Sequence, residues 1–149
     1  MLLALFAPFM NLPISLNCAS SRLISATGRP DPRAIRASTE ALLALGVRKL
    51  VCVHLPEGAY VRTSDGRECW QPALRLPPGY IRSGVGAGDA FCSGMLYGLH
   101  EGWPVEDCLK LAVTAAAVCL ADPTCTAAAC SLAKTLKLAK KYPLQKSVF

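Results

Sequence analysis

The stretch Ser83-Gly84-Val85-Gly86-Ala87-Gly88-Asp89-Ala90-Phe91 constrains this chain more than any other. Three glycines in five positions leave a turn that no side chain obstructs, so main-chain N–H groups can converge on one small space. From Ala90 onward the pattern becomes helical. Ala90, Phe91, Gly94, Met95, Tyr97, Gly98 and Leu99 are small or apolar, as in a helix buried on most sides. A glycine loop that feeds a helix N-terminus favours an anion, because free N–H groups and the helix dipole both attract negative charge.

Into that positive pocket the sequence places one carboxylate, Asp89. Two roles are open to it. As a cap or first-turn residue it satisfies orphan N–H groups of the helix. As a general base it accepts a hydroxyl proton while the amides of Gly86, Ala87 and Gly88 stabilise charge on a transferring phosphoryl group. The residues by themselves leave both open.

Gly86-Ala87-Gly88-Asp89-Ala90-Phe91 resembles the C-terminal signature of the PfkB/ribokinase family of carbohydrate kinases, D-T-x-G-A-G-D-x-F, and Cys92-Ser93-Gly94-Met95-Leu96-Tyr97-Gly98 continues it. The resemblance implies ATP-dependent phosphorylation of a sugar hydroxyl, with Asp89 as catalytic base and Gly86, Ala87 and Gly88 as anion hole. It implies ATP and Mg2+ as cofactors and a sugar as the second substrate. Ser83 and Gly84 stand where Asp and Thr are common, which bears on a monovalent-cation site near the loop and not on the anion hole.

Composition narrows the classes. At 149 residues and 52% hydrophobic the chain suits one domain with a substantial core. The net charge of +6 is concentrated in five lysines from Lys134 to Lys146, read as the solvated face of a last helix. A nucleic-acid role would interleave aromatics with that charge, and only Tyr142 is near, so no nucleic-acid partner is expected. None of the eight cysteines forms C-x-x-C, and no histidine cluster accompanies Cys125 and Cys130, so reduced thiols in a cytoplasmic protein and no protein-built metal site are expected. The apolar start, Met1 to Met10, lacks a basic n-region, is followed closely by Pro13 and is too short to span a bilayer, so no membrane partner is expected.

Along the chain, residues 1–16 read as an uncertain apolar lead-in with a strand around Leu12–Leu16. Pro32 to Leu45 has the spacing of an amphipathic helix stopped by Gly46, and Lys49–Leu55 reads as a buried parallel strand. Ala59–Thr63 and Arg67–Trp70 read as a β-hairpin turned at Asp65-Gly66, with Trp70 packing on the sheet. Helices are expected from Val105 to about Ala121, with Glu106 and Asp107 in the first turn, and from Ser131 to Lys141.

On these elements the resemblance places further roles. Asn17 matches the first position of the family's Asn-x-x-Glu, and Ser20 stands where its glutamate helps organise magnesium and phosphate. His54, Leu55, Pro56 and Gly58 take the places of a turn that approaches the nucleotide, so His54 and Gly58 are candidate nucleotide-binding residues. A strand-end packing role for His54 stays open. Val113 stands where relatives carry an asparagine lining the adenine pocket, which makes it the third nucleotide-side position.

The resemblance runs over 17–142, with 143–149 a tail, and covers only the C-terminal part of such a kinase. The expected fold is therefore a partial ribokinase-like doubly wound sheet in three α/β/α layers, one domain over 1–149, with the N-terminal half and lid absent. A sheet so uncovered invites a second copy or a partner. Three readings remain: a PfkB-type sugar kinase module; an inactive fragment or pseudoenzyme that only binds nucleotide or a protein partner; and an unrelated α/β domain in which Asp89 merely caps a helix.

Overall fold

The computed structural model describes residues 2–5, 13–16, 23–25, 28–124 and 128–149. The positions of Asn17, Ser20 and Cys125 lie outside the described residues. The chain divides into two compact units, Met1–Trp70 with Ser147–Phe149, and Gln71–Lys146.

In the first unit, α1 (Pro32–Ala44) starts where expected. Asp31 is its N-cap and accepts from the amides of Arg33 at 2.9 Å and Ala34 at 3.4 Å, while Pro32 supplies a first helical residue that has no N–H to satisfy. The helix ends at Leu45, and Gly46 follows with φ 102°, a backbone that side chains disfavour. Its fully buried Ile35 joins Val51, Val53, Leu55 and Tyr60 in the core. Burying an aliphatic side chain of that kind stabilises by roughly 1.5–3 kcal/mol.

The sheet has the order β2-β1-β3-β4-β5, formed by β1 (Leu2–Leu5), β2 (Pro13–Leu16), β3 (Leu50–Leu55), β4 (Gly58–Thr63) and β5 (Glu68–Pro72). The buried strand expected at Lys49–Leu55 is present as β3, but it is not parallel to its neighbours. Leu2 lies opposite Val53 in an antiparallel β1–β3 pair, and Leu55 opposite Gly58 in an antiparallel β3–β4 pair. The cause is the connection: Pro56 and Glu57 alone join β3 to β4, far too few residues for a parallel crossover. A continuous apolar run reports burial on both faces and carries no strand direction.

The second hairpin forms as expected. Gly66, at φ 87°, donates to Thr63 O at 3.0 Å, Thr63 N–H donates to Arg67 O at 2.9 Å, and the Thr63 hydroxyl donates to Asp65. Arg36 and Arg62 grip opposite oxygens of Glu68 at 2.8 and 2.6 Å, and this holds the Glu68 carboxyl below its usual range, with the Arg36 bond the main cause.

The second unit is helical: α2 (Ala87–His100), α3 (Val105–Cys119) and α4 (Leu132–Lys141). The first two pack backbone to backbone through two glycines one turn apart. A Cβ on Gly94 would lie 2.9 Å from Ala112 Cα, and one on Gly98 would lie 2.7 Å from Cys108 Sγ. Moving four residues forward on α2 moves four backward on α3, so the helices run antiparallel. That approach sets the start of α2 beside the end of α3.

One residue of the first unit carries a pH consequence. Burial pushes His54 down to about 4, so its ring is neutral at pH 7. The unfolded chain takes up a proton near pH 6.5, whereas the folded chain resists it until about 4. Stability is thus complete above pH 6.5 and lost progressively as the pH falls towards 4, by at most about 3 kcal/mol. Urea midpoints of the parent and His54→Leu measured from pH 7.5 to 4 check this, with the parent expected to fall more steeply.

Candidate functional site

The glycine loop meets α2 through Gly86. It is the N-cap, sits at φ 78° in the left-handed region, and its carbonyl accepts from Ala90 N–H at 2.9 Å. Among the described residues no side chain caps this helix. Of the amides in its first turn, Ala87 donates to Gly84 O at a long 3.4 Å, and no bond occupies those of Gly86, Gly88 or Asp89 among the described residues. Of the three amides expected at the anion hole, those of Gly86 and Gly88 are unbonded among the described residues, and that of Ala87 is engaged in the turn. Orphan N–H groups at a helix start carry the positive end of the dipole.

The loop is held from outside. Arg82 and Ser83 N–H both donate to Leu120 O, at 2.8 and 3.5 Å, and Val85 O accepts from Cys119 Sγ at 3.5 Å. Within the loop, Val85 N–H donates to Ser83 Oγ at 3.1 Å. These bonds fix the loop against the last turn of α3 without using the amides at the helix start.

The result is a cleft of about 390 Å³, within the range of small-molecule sites. Gly86 and Asp89 line it from α2, with Ser93 one turn below. Ala115, Val118 and Cys119 of α3 form the opposite wall, and Cys130 and Thr135 close it from the α4 side. Asp89 is exposed and sits in the first turn, so its carboxylate faces solvent at the cleft rather than the core. Ser93 Oγ donates back to Asp89 O at 2.9 Å, which stiffens that turn.

The other sequence candidates lie elsewhere. Val113 is 4% exposed inside α3 and does not line the cleft; the α3 positions that do are two, five and six residues further on. His54 closes towards the end of β3 and Gly58 opens β4, both in the first unit. Sequence reasoning missed the apolar wall of Ala115, Val118 and Cys119 on α3. A helical repeat in the alanine-rich run was its only signal, and it could not separate the cleft side from the core side.

Among the described residues no group of three or more His, Cys, Asp and Glu side chains comes together to hold a metal ion. No helix among them is long and apolar enough to cross a membrane.

The family model for pfkB family carbohydrate kinases matches residues 20–131. The chain is 34% identical over 84 residues to a 5-dehydro-2-deoxygluconokinase of Clostridium beijerinckii, covering 56% of this chain and 24% of that protein. It is 33% identical over 85 residues to a cytidine kinase of Thermococcus kodakarensis, covering 57% and 29%. Among solved structures it is similar to Arabidopsis thaliana ribokinase complexed with ribose and ATP (TM-score 0.66, 25% identity, 74% of this chain and 35% of that one). It is also similar to Escherichia coli phosphofructokinase-2 in complex with substrates and products (TM-score 0.60, 26% identity, 77% and 36%). The fold is ribokinase-like, and the chain spans about a quarter to a third of the length of these proteins.

Proposed function

Because the chain belongs to the pfkB family of carbohydrate kinases, we propose that it serves ATP-dependent transfer of a phosphoryl group to a sugar hydroxyl, as the part of such an enzyme that holds the catalytic base and the phosphates. The observation that carries this reading is the Asp89 carboxylate at a cleft that Gly86 also lines, at a helix start where the amides of Gly86, Gly88 and Asp89 are unbonded among the described residues. Asp89 accepts the proton of the attacking hydroxyl, which makes the oxygen a better nucleophile as the P–O bond forms. The amides at the start of α2 receive the negative charge that spreads over the phosphoryl oxygens, and they are already oriented before the reaction begins.

Magnesium fits this cleft as a companion of the nucleotide. Asp89, the carboxylate of the lining, is kept for the proton, so the ion would be held chiefly by the phosphate oxygens and its own waters. Bound there, it would supply further neutralisation of phosphate charge. The apolar wall of Ala115, Val118 and Cys119 offers a surface for the base of the nucleotide. His54, Gly58 and Val113 are carried as nucleotide-side positions by the family resemblance alone. The setting is cytoplasmic, where ATP and reduced thiols coexist.

The test is a titration with ATP–Mg2+ followed by an ADP-release assay over a panel of sugars, with Asp89→Asn as control. Sugar-dependent release lost in the variant supports the kinase. Binding of nucleotide without turnover supports the inactive module that serves nucleotide or a protein partner. Absence of binding removes both.

A further inference from the structure

On the sheet of the first unit, the ring of Phe149 stacks on Tyr60, with centroids 4.9 Å apart and planes 16° from parallel, and on Trp70, at 4.8 Å and 28°. The guanidinium carbon of Arg36 lies 5.2 Å from the centre of the same ring. Arg36 is itself held there by its Nε bond to Glu68. Two aromatic faces and a planar cation make a slot that suits a flat ring.

The chemistry of the slot does not match its present occupant. The Tyr60 hydroxyl and the Trp70 indole N–H are both buried, and neither has a hydrogen-bond partner among the described residues. Tyr60 is only 1% exposed, so water has little access to it. Arg36, Arg62 and Glu68 all approach that hydroxyl closely enough to act on its ionisation, with burial the largest effect, but none of them meets the oxygen at hydrogen-bond distance and angle. Buried polar groups are ordinarily paired, and two orphans flanking one ring are an anomaly. The hydrocarbon ring of Phe149 offers them nothing. Both groups lie in the planes of the rings that carry them, so a stacked ring cannot itself accept from them. An oxygen-bearing arm that extends past the ring edge can.

We propose that this slot is a ligand site for a flat heteroaromatic ring carrying an arm of hydroxyl or carbonyl oxygens, a ligand of the nucleoside type, and that Phe149 is the side chain such a ligand displaces. The ring takes the stacked position beside Arg36. Oxygens of the arm accept from Trp70 Nε1–H and pair with the Tyr60 hydroxyl. The slot belongs wholly to the first unit, whereas every residue lining the Asp89 cleft belongs to the second. The proposal therefore stands or falls independently of the kinase reading.

The chain has two tryptophans, so a Trp103→Phe background leaves Trp70 as the reporter. Adenosine is the probe, and the readout is quenching of Trp70 fluorescence in the full chain. With Phe149→Ala, quenching is expected to saturate at a concentration at least about tenfold lower than with Phe149 in place. Phe149→Leu keeps an apolar cover that stacks poorly, and it is expected to show the same direction of change should truncation to Ala unfold the unit. Adding Tyr60→Phe to either variant should weaken adenosine by roughly fivefold or more. Tyr60→Phe alone should leave the thermal midpoint unchanged or raise it. Quenching that never saturates in a folded Ala or Leu variant overturns the proposal. So does a lowered midpoint for Tyr60→Phe alone, because it would mean that the hydroxyl already has a partner.

Discussion

Asp89→Asn is expected to lower kcat for sugar-dependent ADP release by roughly 10²–10⁴-fold, the span that a positioned general base contributes. Asparagine keeps the size of the side chain and its place in the first turn of α2, but it cannot take a proton from the sugar hydroxyl. The Michaelis constant for ATP should move by no more than about threefold, because the amides proposed to receive the phosphates are main-chain groups that the substitution leaves alone. Stability provides the second readout. A first-turn carboxylate gains about 0.3–1 kcal/mol from the helix dipole, so the variant should be only slightly less stable. A drop in kcat of under about tenfold, accompanied by that same loss of stability, would reduce Asp89 to a helix-capping residue.

Gly94→Ala is the substitution expected to damage the fold most for its size. An alanine in mid-helix is favoured over glycine by about 1 kcal/mol, so propensity alone predicts stabilisation. Packing decides otherwise. The new methyl would sit 2.9 Å from Ala112 Cα, 3.1 Å from Ala112 N and 3.2 Å from Leu111 O, all backbone atoms that no rotamer change can move. Overpacking of this kind costs roughly 1–3 kcal/mol beyond what relaxation recovers, and Gly94→Leu should prevent α2 and α3 from docking at all. Gly84→Ala is the internal control: its Cβ meets nothing within 4 Å, so its effect should stay within about 0.5 kcal/mol. Urea denaturation of the three variants measures the difference through the midpoint at constant slope. A Gly94→Ala chain as stable as the parent would mean that the two helices separate readily.

How far the sequence revealed this arrangement depends on what each signal encodes. Asp31, Pro32 and Gly46 act through local backbone chemistry, and α1 ends within one residue of the expected boundary. Asp65-Gly66 likewise fixes its own turn. The loop with Asp89 was legible because glycine spacing followed by a carboxylate describes a local geometry. Strand direction in β3 was not, since it depends on which segment pairs with it, and the pairing partner Leu2–Leu5 shows no alternation that would mark it as a strand. Val113 shows a similar limit. Residues in a helix as apolar as α3 are told apart only by their neighbours, and the neighbours of Val113 turned out to be the core while those of Val118 were the cleft.

The carbonyl of Leu120 acts as a pin. It lies just past the last residue of α3, where a helix normally leaves carbonyls facing solvent, and here it fastens two amides of the segment that leads into the glycine turn. The loop is thus pinned by the helix that faces it across the cleft, and its resting position is inherited from the length of that helix. A one-residue insertion or deletion near Val118 would swing the pin by about 100° around the helix axis and unfasten Arg82 and Ser83 together. Evolution or design could in this way retune the backbone at the start of α2 without altering a single glycine in it.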